Sequence, residues 1–382
     1  MSIIIGADLV PTQSNYDLFE KKDLATLFGK DLLSTISEVD FRIFNLETPL
    51  TDTKTPIEKN GPALITPTRA FPGIKALGVD LFAIANNHIL DQGEQGFYKT
   101  CEILRENGIP YVGGGENLSE ANRAFCVECG GKKIGVYACA EHEFSIATAN
   151  TCGANPFDSL ESPDHVAALK AQCDYVIVLY HGGKEHYRYP SPNLQKVCRK
   201  LVDKGADLVV CQHSHCIGCE EKYKDATIVY GQGNFIFDLN NSECWQTGLL
   251  VKLEDDFSIS YLPLQKQGSC VRLACDEAAK DILDSFKRRS EEIAMPDFIE
   301  TEYAKYANQM KQQYLFAFCG VRKNLLFRII NKLTGNRYSI WVLKKKYNKE
   351  TCLRLKNYLE CEAHTELILH GMENEILSQK NV

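Results

Sequence analysis

Short apolar, β-branched runs alternate with amphipathic segments through the first two thirds of the chain. Residues 2–6, 40–44, 79–85, 132–140, 175–180, 208–211 and 226–230 have strand character, being brief and rich in Val, Ile and aromatic side chains. Between them, helical periodicity covers 16–38, with a break near Gly29, and then 92–107, 162–172 and 192–204. Gly108 and Gly205 stand just beyond two of these segments, where a helix commonly ends on a left-handed residue. Residues 247–253 and 257–262 predict a hairpin around Glu254, Asp255 and Asp256. Strands alternating with helices predict an α/β core, with the later strands in a second sheet.

The pattern changes near residue 272. Glycine becomes scarce, and helical periodicity runs over 274–291, 297–318, 323–333 and 350–378. The expected organisation is therefore an α/β domain over 1–270 and a mostly helical extension over 271–382.

Composition narrows the function classes. With 44% apolar and 24% charged residues, the 382-residue chain can build a sizeable core. A net charge of −7 gives no electrostatic case for nucleic-acid binding. The N-terminal apolar run is interrupted at Asp8, and no run approaches the ~18 apolar residues of a membrane span. The expectation is a cytoplasmic protein without signal peptide or transmembrane helix. The 16 cysteines are then expected to be mostly reduced, behaving as small buried hydrophobes. One stretch departs from the overall charge. Residues 320–350 carry Arg322, Lys323, Arg328, Lys332, Arg337, Lys344, Lys345, Lys346 and Lys349, interleaved with apolar side chains. Such a stretch is either a solvated helix face over a local core or a peripheral contact with an anionic membrane or an assembly partner.

Candidate chemistry gathers where strands end. Asp8 follows the first strand, and Asn45 and Glu47 follow the second. Asn86, Asn87 and His88 follow the third, with Asp91 three residues on. His181 closes a strongly apolar strand, and His213 and His215 follow the next. Singly, each has a plainer reading as a turn residue, a cap or a satisfied polar group. Jointly they predict five strand ends converging on one site, since ligands of open α/β sheets gather outside the carboxyl ends of strands. Imidazole, carboxylate and amide together point to a transition-metal centre.

The ordered pattern resembles the CapA-type poly-γ-glutamate capsule proteins, members of the calcineurin-like metallophosphoesterase superfamily. It consists of Asp8, Asn45-Leu46-Glu47, Asn86-Asn87-His88 with Asp91, His181-Gly182-Gly183-Lys184-Glu185, Gly205-Ala206-Asp207, His213-Ser214-His215 and Gly233-Asn234-Phe235. The resemblance covers about residues 1–265. It implies a four-layer sandwich of two packed mixed β-sheets flanked by helices. It also implies two divalent metal ions (manganese, iron or zinc), with single-metal occupancy left open. Asp8 and His215 would hold the first metal, and Asn87, His181 and His213 the second. Glu47 would bridge them. His88 would be the catalytic imidazole, oriented by Asp91. Asn45, Asn86, Glu185, His186 and Asn234 would contact substrate or support the ligands. The superfamily's first motif, Asp-x-His, is incomplete here, because Val10 stands two residues after Asp8.

The implied function is metal-dependent phosphoester hydrolysis in the synthesis of a capsule or cell-surface polymer. The alternative is an assembly factor that uses the centre to bind an anionic polymer or lipid-linked precursor. Two neighbouring features stay open. Glu141, His142 and Glu143 either reach the site or form a surface loop. Cys216 and Cys219 are a buried pair, a separate zinc site or a redox pair.

Overall fold

A computed structural model describes residues 1–319 and 325–379, and the chain divides into two compact units, Met1–Glu300 and Thr301–Val382.

The first unit is built on two sheets. In spatial order the eight-stranded sheet runs Cys270–Leu273, Ile259–Gln267, Thr247–Leu253, Ile3–Val10, Phe41–Leu46, Leu81–Ala83 and Tyr111–Val112, with Asn234–Phe237 also pairing with Ile3–Val10. The six-stranded sheet runs Glu220–Tyr223, Ala226–Val229, Leu208–Gln212, Tyr175–His181, Lys132–Ala140 and Phe125–Cys129. Both mix parallel and antiparallel pairs.

The alternation of side chains explains the layering. Along Tyr175–His181, Ile177 and Leu179 enter a core shared with Ile3, Ile5 and Ile43 of the other sheet. Val176, Val178 and Tyr180 point the opposite way, into a second core with Val166, Leu169, Leu194 and Leu201 from the covering helices Ser162–Lys170 and Pro192–Asp203. A strand buried on both faces reads as a continuous apolar run, as this one does. On the far side of the larger sheet, Phe19, Leu27, Phe28, Leu32 and Ile74 supply the fourth layer. Each fully buried side chain of this kind is worth about 1.5–3 kcal/mol, so the sandwich is held mainly by these two cores.

The differences from the sequence reading have physical causes. The first strand runs to Val10, because irregular pairing beside Asp8 lets the carboxylate sit within the strand. The segment 16–38 is three short helices, Tyr16–Glu20, Leu24–Phe28 and Lys30–Ser37, with Gly29 at φ +73 between the last two. The composition shift near 272 marks the change to helix and not the edge of the packed unit. Helix Asp276–Ile293 buries Phe286, Arg289 and Ile293, and Arg289 donates to the Gly218 carbonyl at 2.7 Å.

The second unit contains the helices Leu325–Leu333, Arg337–Lys346, Lys349–Glu360 and Glu362–Gln379. The segment 350–378 is thus divided at Cys361, and Arg337–Lys346 is a helix that periodicity did not single out. Arg322 and Lys323 lie outside the described residues. Among those described, no helix is long and apolar enough to cross a membrane.

Candidate metal centre

The strand register brings the polar residues together. Asp8 pairs with Asn45 on one side and Asn234 on the other. His181 continues the row of Ile177 and Leu179, so its ring leaves the apolar core at its polar end and faces the strand that carries Asp8. It is in register with Gln212, after which the chain reverses. His213 and His215 both take left-handed backbone angles, φ 79 and φ 52. Non-glycine residues rarely do so, and such strain is concentrated at functional sites. Gly233 precedes Asn234 at φ +72, and a Cβ there would lie 2.7 Å from the Thr247 carbonyl oxygen. Only glycine lets the chain pass here and deliver Asn234 beside Asp8.

Two groups of side chains have ligand atoms within 4.8 Å of one another: Glu47, His181 and His213, and Asp8, Glu47 and His215. Glu47 belongs to both. All five are buried. Asn87 adds its Oδ1 at 3.1 Å from His181 Nε2. Glu47 Oε1 lies 3.2 Å from His181 Nε2, and Asp8 Oδ2 lies 3.3 Å from His215 Nδ1. Neither contact has hydrogen-bond geometry, for both Glu47 oxygens, Asp8 Oδ2 and His213 Nδ1 are buried without a hydrogen-bond partner. An orphaned buried polar atom costs about 1–3 kcal/mol. Four of them converging in one place fit a cation that is bound by oxygen and nitrogen.

The charges carry the same message. Burial, together with the Asp8 charge, pushes the Glu47 carboxyl well above its usual range. Burial also raises Asp8, but contacts with His215, His181 and Asn45 outweigh it and hold that carboxyl below its usual value. Burial lowers His181 to about 4. His213 is driven well below its usual value by burial and by His181 and His215. His215 goes the other way, to about 9: burial lowers it, but the Asp8 contact and the Glu47 charge prevail. In the metal-free centre Glu47 and His215 thus both hold their protons more tightly than usual. Divalent metal should displace both, so its affinity should rise with pH and binding should release protons. Titration calorimetry in two buffers of different ionisation enthalpy should read one to two protons released at pH 7. Equal apparent enthalpies in the two buffers would contradict this assignment of charge.

Beside the cluster, His88 Nδ1 lies 2.6 Å from Asp91 Oδ2. The ring nitrogen must carry its proton to make that contact, which leaves Nε2 free. Asp91 is also ion-paired with Lys59 and accepts from the Leu64 N–H at 2.5 Å. Lys59 Nζ lies 3.2 Å from His88 Nδ1, and its side chain is only 2% exposed. The loop that bears Lys59 is tied down further by Gln92, which binds the Thr55 N–H at 2.8 Å and the Leu64 carbonyl at 2.8 Å.

The remaining named residues divide by what they touch. Asn45 donates to Asp8 Oδ1 at 2.8 Å and lies 3.3 Å from His181 Nδ1. Asn234 Oδ1 meets His215 Nδ1 at 2.9 Å. Asn86 reaches inward instead, to Asn45 Oδ1 and the Leu46 carbonyl. Glu143 accepts from Asn87 Nδ2 at 2.6 Å, so its loop does reach the site. Glu185 is partly buried; burial raises its carboxyl, but His213 and His215 hold it below the usual range. His186 accepts from Trp245 Nε1 at 2.8 Å, and the indole ring lies 4.7 Å from that of His215. Neither Cys216 nor Cys219 falls in either ligand group, and all 16 cysteines are free. Lys59 and Trp245 were not singled out from sequence. Both are isolated in polar segments, and only the fold brings them to the site.

Two mixed sheets packed face to face, with a buried His, Asp and Glu cluster at their strand ends, define a protein of the metallophosphoesterase fold. The chain belongs to the family of the bacterial capsule synthesis protein PGA_cap, which matches residues 2–239. Over 171 residues it is 31% identical to the capsule biosynthesis protein CapA of Bacillus anthracis, covering 43% of this chain and 42% of that protein. Over 172 residues it is 29% identical to the PGA biosynthesis protein CapA of Bacillus subtilis (strain 168), covering 43% and 44%. The matches thus span under half the length of these relatives. Among solved structures, a novel phosphatase from Mycoplasma pneumoniae aligns over 70% of this chain and 94% of its own at 13% identity, with a TM-score of 0.44.

Proposed function

We propose that the protein is a metal-dependent phosphoesterase that acts in the synthesis of an anionic capsule or cell-surface polymer. The observation that carries this reading is Glu47, a buried carboxylate shared by two ligand groups with neither oxygen hydrogen-bonded. In the reading, Asp8 and His215 hold one divalent ion, Asn87, His181 and His213 hold a second, and Glu47 bridges them. A metal pair supplies Lewis acidity, acidifying water and offsetting charge on a phosphoryl group. The protein's own groups do the rest. Asn45 and Asn234 orient Asp8 and His215, and Glu143 fixes the amide of Asn87. His88, with its Nδ1 proton committed to Asp91, presents Nε2 toward the leaving oxygen or the phosphoryl group. The polymer context comes from the family and from the CapA names of its relatives.

A second reading has one observation in its favour. Val10 stands where the wider superfamily has a histidine ligand, which weakens the first metal position. On that reading the centre binds an anionic polymer or a lipid-linked precursor without turning it over.

The test begins with elemental analysis, expected to find one to two metals per chain. It continues with hydrolysis of aryl phosphomonoesters, phosphodiesters and γ-glutamyl amides. Metal-dependent turnover of a phosphoester supports the first reading. Metal-dependent binding of poly-γ-glutamate with no turnover of any of the three supports the second. A chain that neither contains metal nor takes it up on reconstitution sinks both.

A further inference from the structure

Independently of the metal centre, we infer that helices Leu325–Leu333 and Arg337–Lys346 form a docking face for an anionic phospholipid bilayer. The chain carries a net charge of −7, yet between residues 325 and 349 it has seven Lys or Arg and no Asp or Glu. The exposed positions are patterned. On the first helix Arg328, Ile329, Lys332 and Leu333 are exposed, one stripe at helical spacing. On the second, Arg337, Trp341, Lys344 and Lys345 make another. Bulky apolar groups stand among these cations: Leu333 is 80% exposed, Trp341 56% and Ile329 46%. The opposite faces are occupied. Phe327 packs on Phe316 and Tyr338 at ring distances of 5.3 and 5.4 Å, and Leu343 is buried.

The composition of the face selects the occupant. A soluble polyanion would pair with the cations and leave Leu333, Ile329 and Trp341 in water. A bilayer surface accepts both kinds of group. Headgroup phosphates meet the cations, the aliphatic side chains enter the acyl boundary, and an indole settles at the interface. The neighbouring helices Lys349–Glu360 and Glu362–Gln379 also expose leucines, but they interleave them with Glu350, Glu360, Glu362, Glu366 and Glu373. They lack the single sign of charge that an anionic surface requires. With no helix among the described residues long and apolar enough to span, the contact made by this face is peripheral.

Vesicle flotation of the full chain tests the inference, comparing phosphatidylglycerol–phosphatidylcholine vesicles with phosphatidylcholine alone. Binding is expected only to the anionic vesicles and should weaken as salt rises. The combined substitution Lys344→Gln, Lys345→Gln and Lys346→Gln should cost roughly tenfold or more in apparent affinity. Trp341 fluorescence supplies the second readout. The other tryptophan, Trp245, is already buried, so a blue shift on vesicle addition reports Trp341 and should vanish in Trp341→Phe. These positions are exposed, and unchanged far-ultraviolet dichroism will show that the variants fold. Failure to float with anionic vesicles, or equal binding to soluble polyglutamate with no blue shift, would overturn the assignment.

Discussion

Glu47→Gln is expected to give a protein that is more stable without metal and binds metal poorly. The wild-type carboxyl is fully buried, has no hydrogen bond to either oxygen, and faces Asp8. An uncompensated buried charge is expensive, and a carboxyl in that position keeps its proton instead. Glutamine preserves the shape, stays neutral at every pH and offers an N–H to Asp8 Oδ2. The metal-free variant should gain about 1 kcal/mol, or roughly 2–4 °C in melting temperature. The gain has a defined pH dependence. Because the folded-state pKa of Glu47 is raised, stability is lost as pH climbs from the unfolded value near 4.5 toward the folded one. The advantage of the variant should therefore be absent below about pH 4.5 and grow above it. Metal reverses the order. On the proposed two-metal reading the ions would lose their common counter-charge, and affinity should drop about 100-fold or more, ~2.7 kcal/mol. Melting curves with chelator and with added manganese or zinc measure both effects. Unaltered metal affinity, or a metal-free variant less stable than wild type, would remove Glu47 from its bridging place.

That a carboxylate at 47 belongs with histidines at 181 and 213 was legible from sequence because each ends an apolar run. The strands of both sheets carry strong β-branched signals, and strand ends are where side chains escape the core. The signal failed where a polar residue lies within a strand. From the apolar run alone Asp8 follows the first strand, whereas irregular pairing on both sides keeps it inside. It also failed on strands with alternating or mixed character. Phe125–Cys129 and Glu220–Tyr223 stand at sheet edges, half exposed, and carry no continuous apolar run. Loops gave least. Lys59 lies in a polar segment with no periodicity, and its place beside His88 comes from its ion pair with Asp91 and from the bonds of Thr55 to Gln92 and of Leu64 to Asp91 that hold its loop. His186 shows the opposite limit. A histidine near the candidate ligands in sequence need not face their cluster, and this one is turned to Trp245 by a left-handed backbone at φ 60.

His88→Gln is expected to cut phosphoester turnover about 10²- to 10⁴-fold, the range for losing a positioned acid–base imidazole, while leaving metal content unchanged. The separation is possible because His88 lies outside both ligand groups and its loss strands no charge. Asp91 keeps the ion pair with Lys59 and the hydrogen bond from the Leu64 N–H, so its buried carboxylate remains compensated. The loop that Asp91 and Gln92 hold down should stay in place, and stability should change by no more than about 1 kcal/mol. Lys59→Met gives a useful contrast. It removes the cation from Asp91 and leaves the imidazole, so its cost should fall on stability as well as on turnover. Elemental analysis, melting temperature and steady-state rates on one aryl phosphate distinguish the two variants. If His88→Gln loses metal along with activity, then His88 is a ligand and not the imidazole that meets the substrate. If it loses neither, proton transfer at this site belongs to another group, and Glu185 and Glu143, the other carboxylates beside the ligands, become the groups to substitute next.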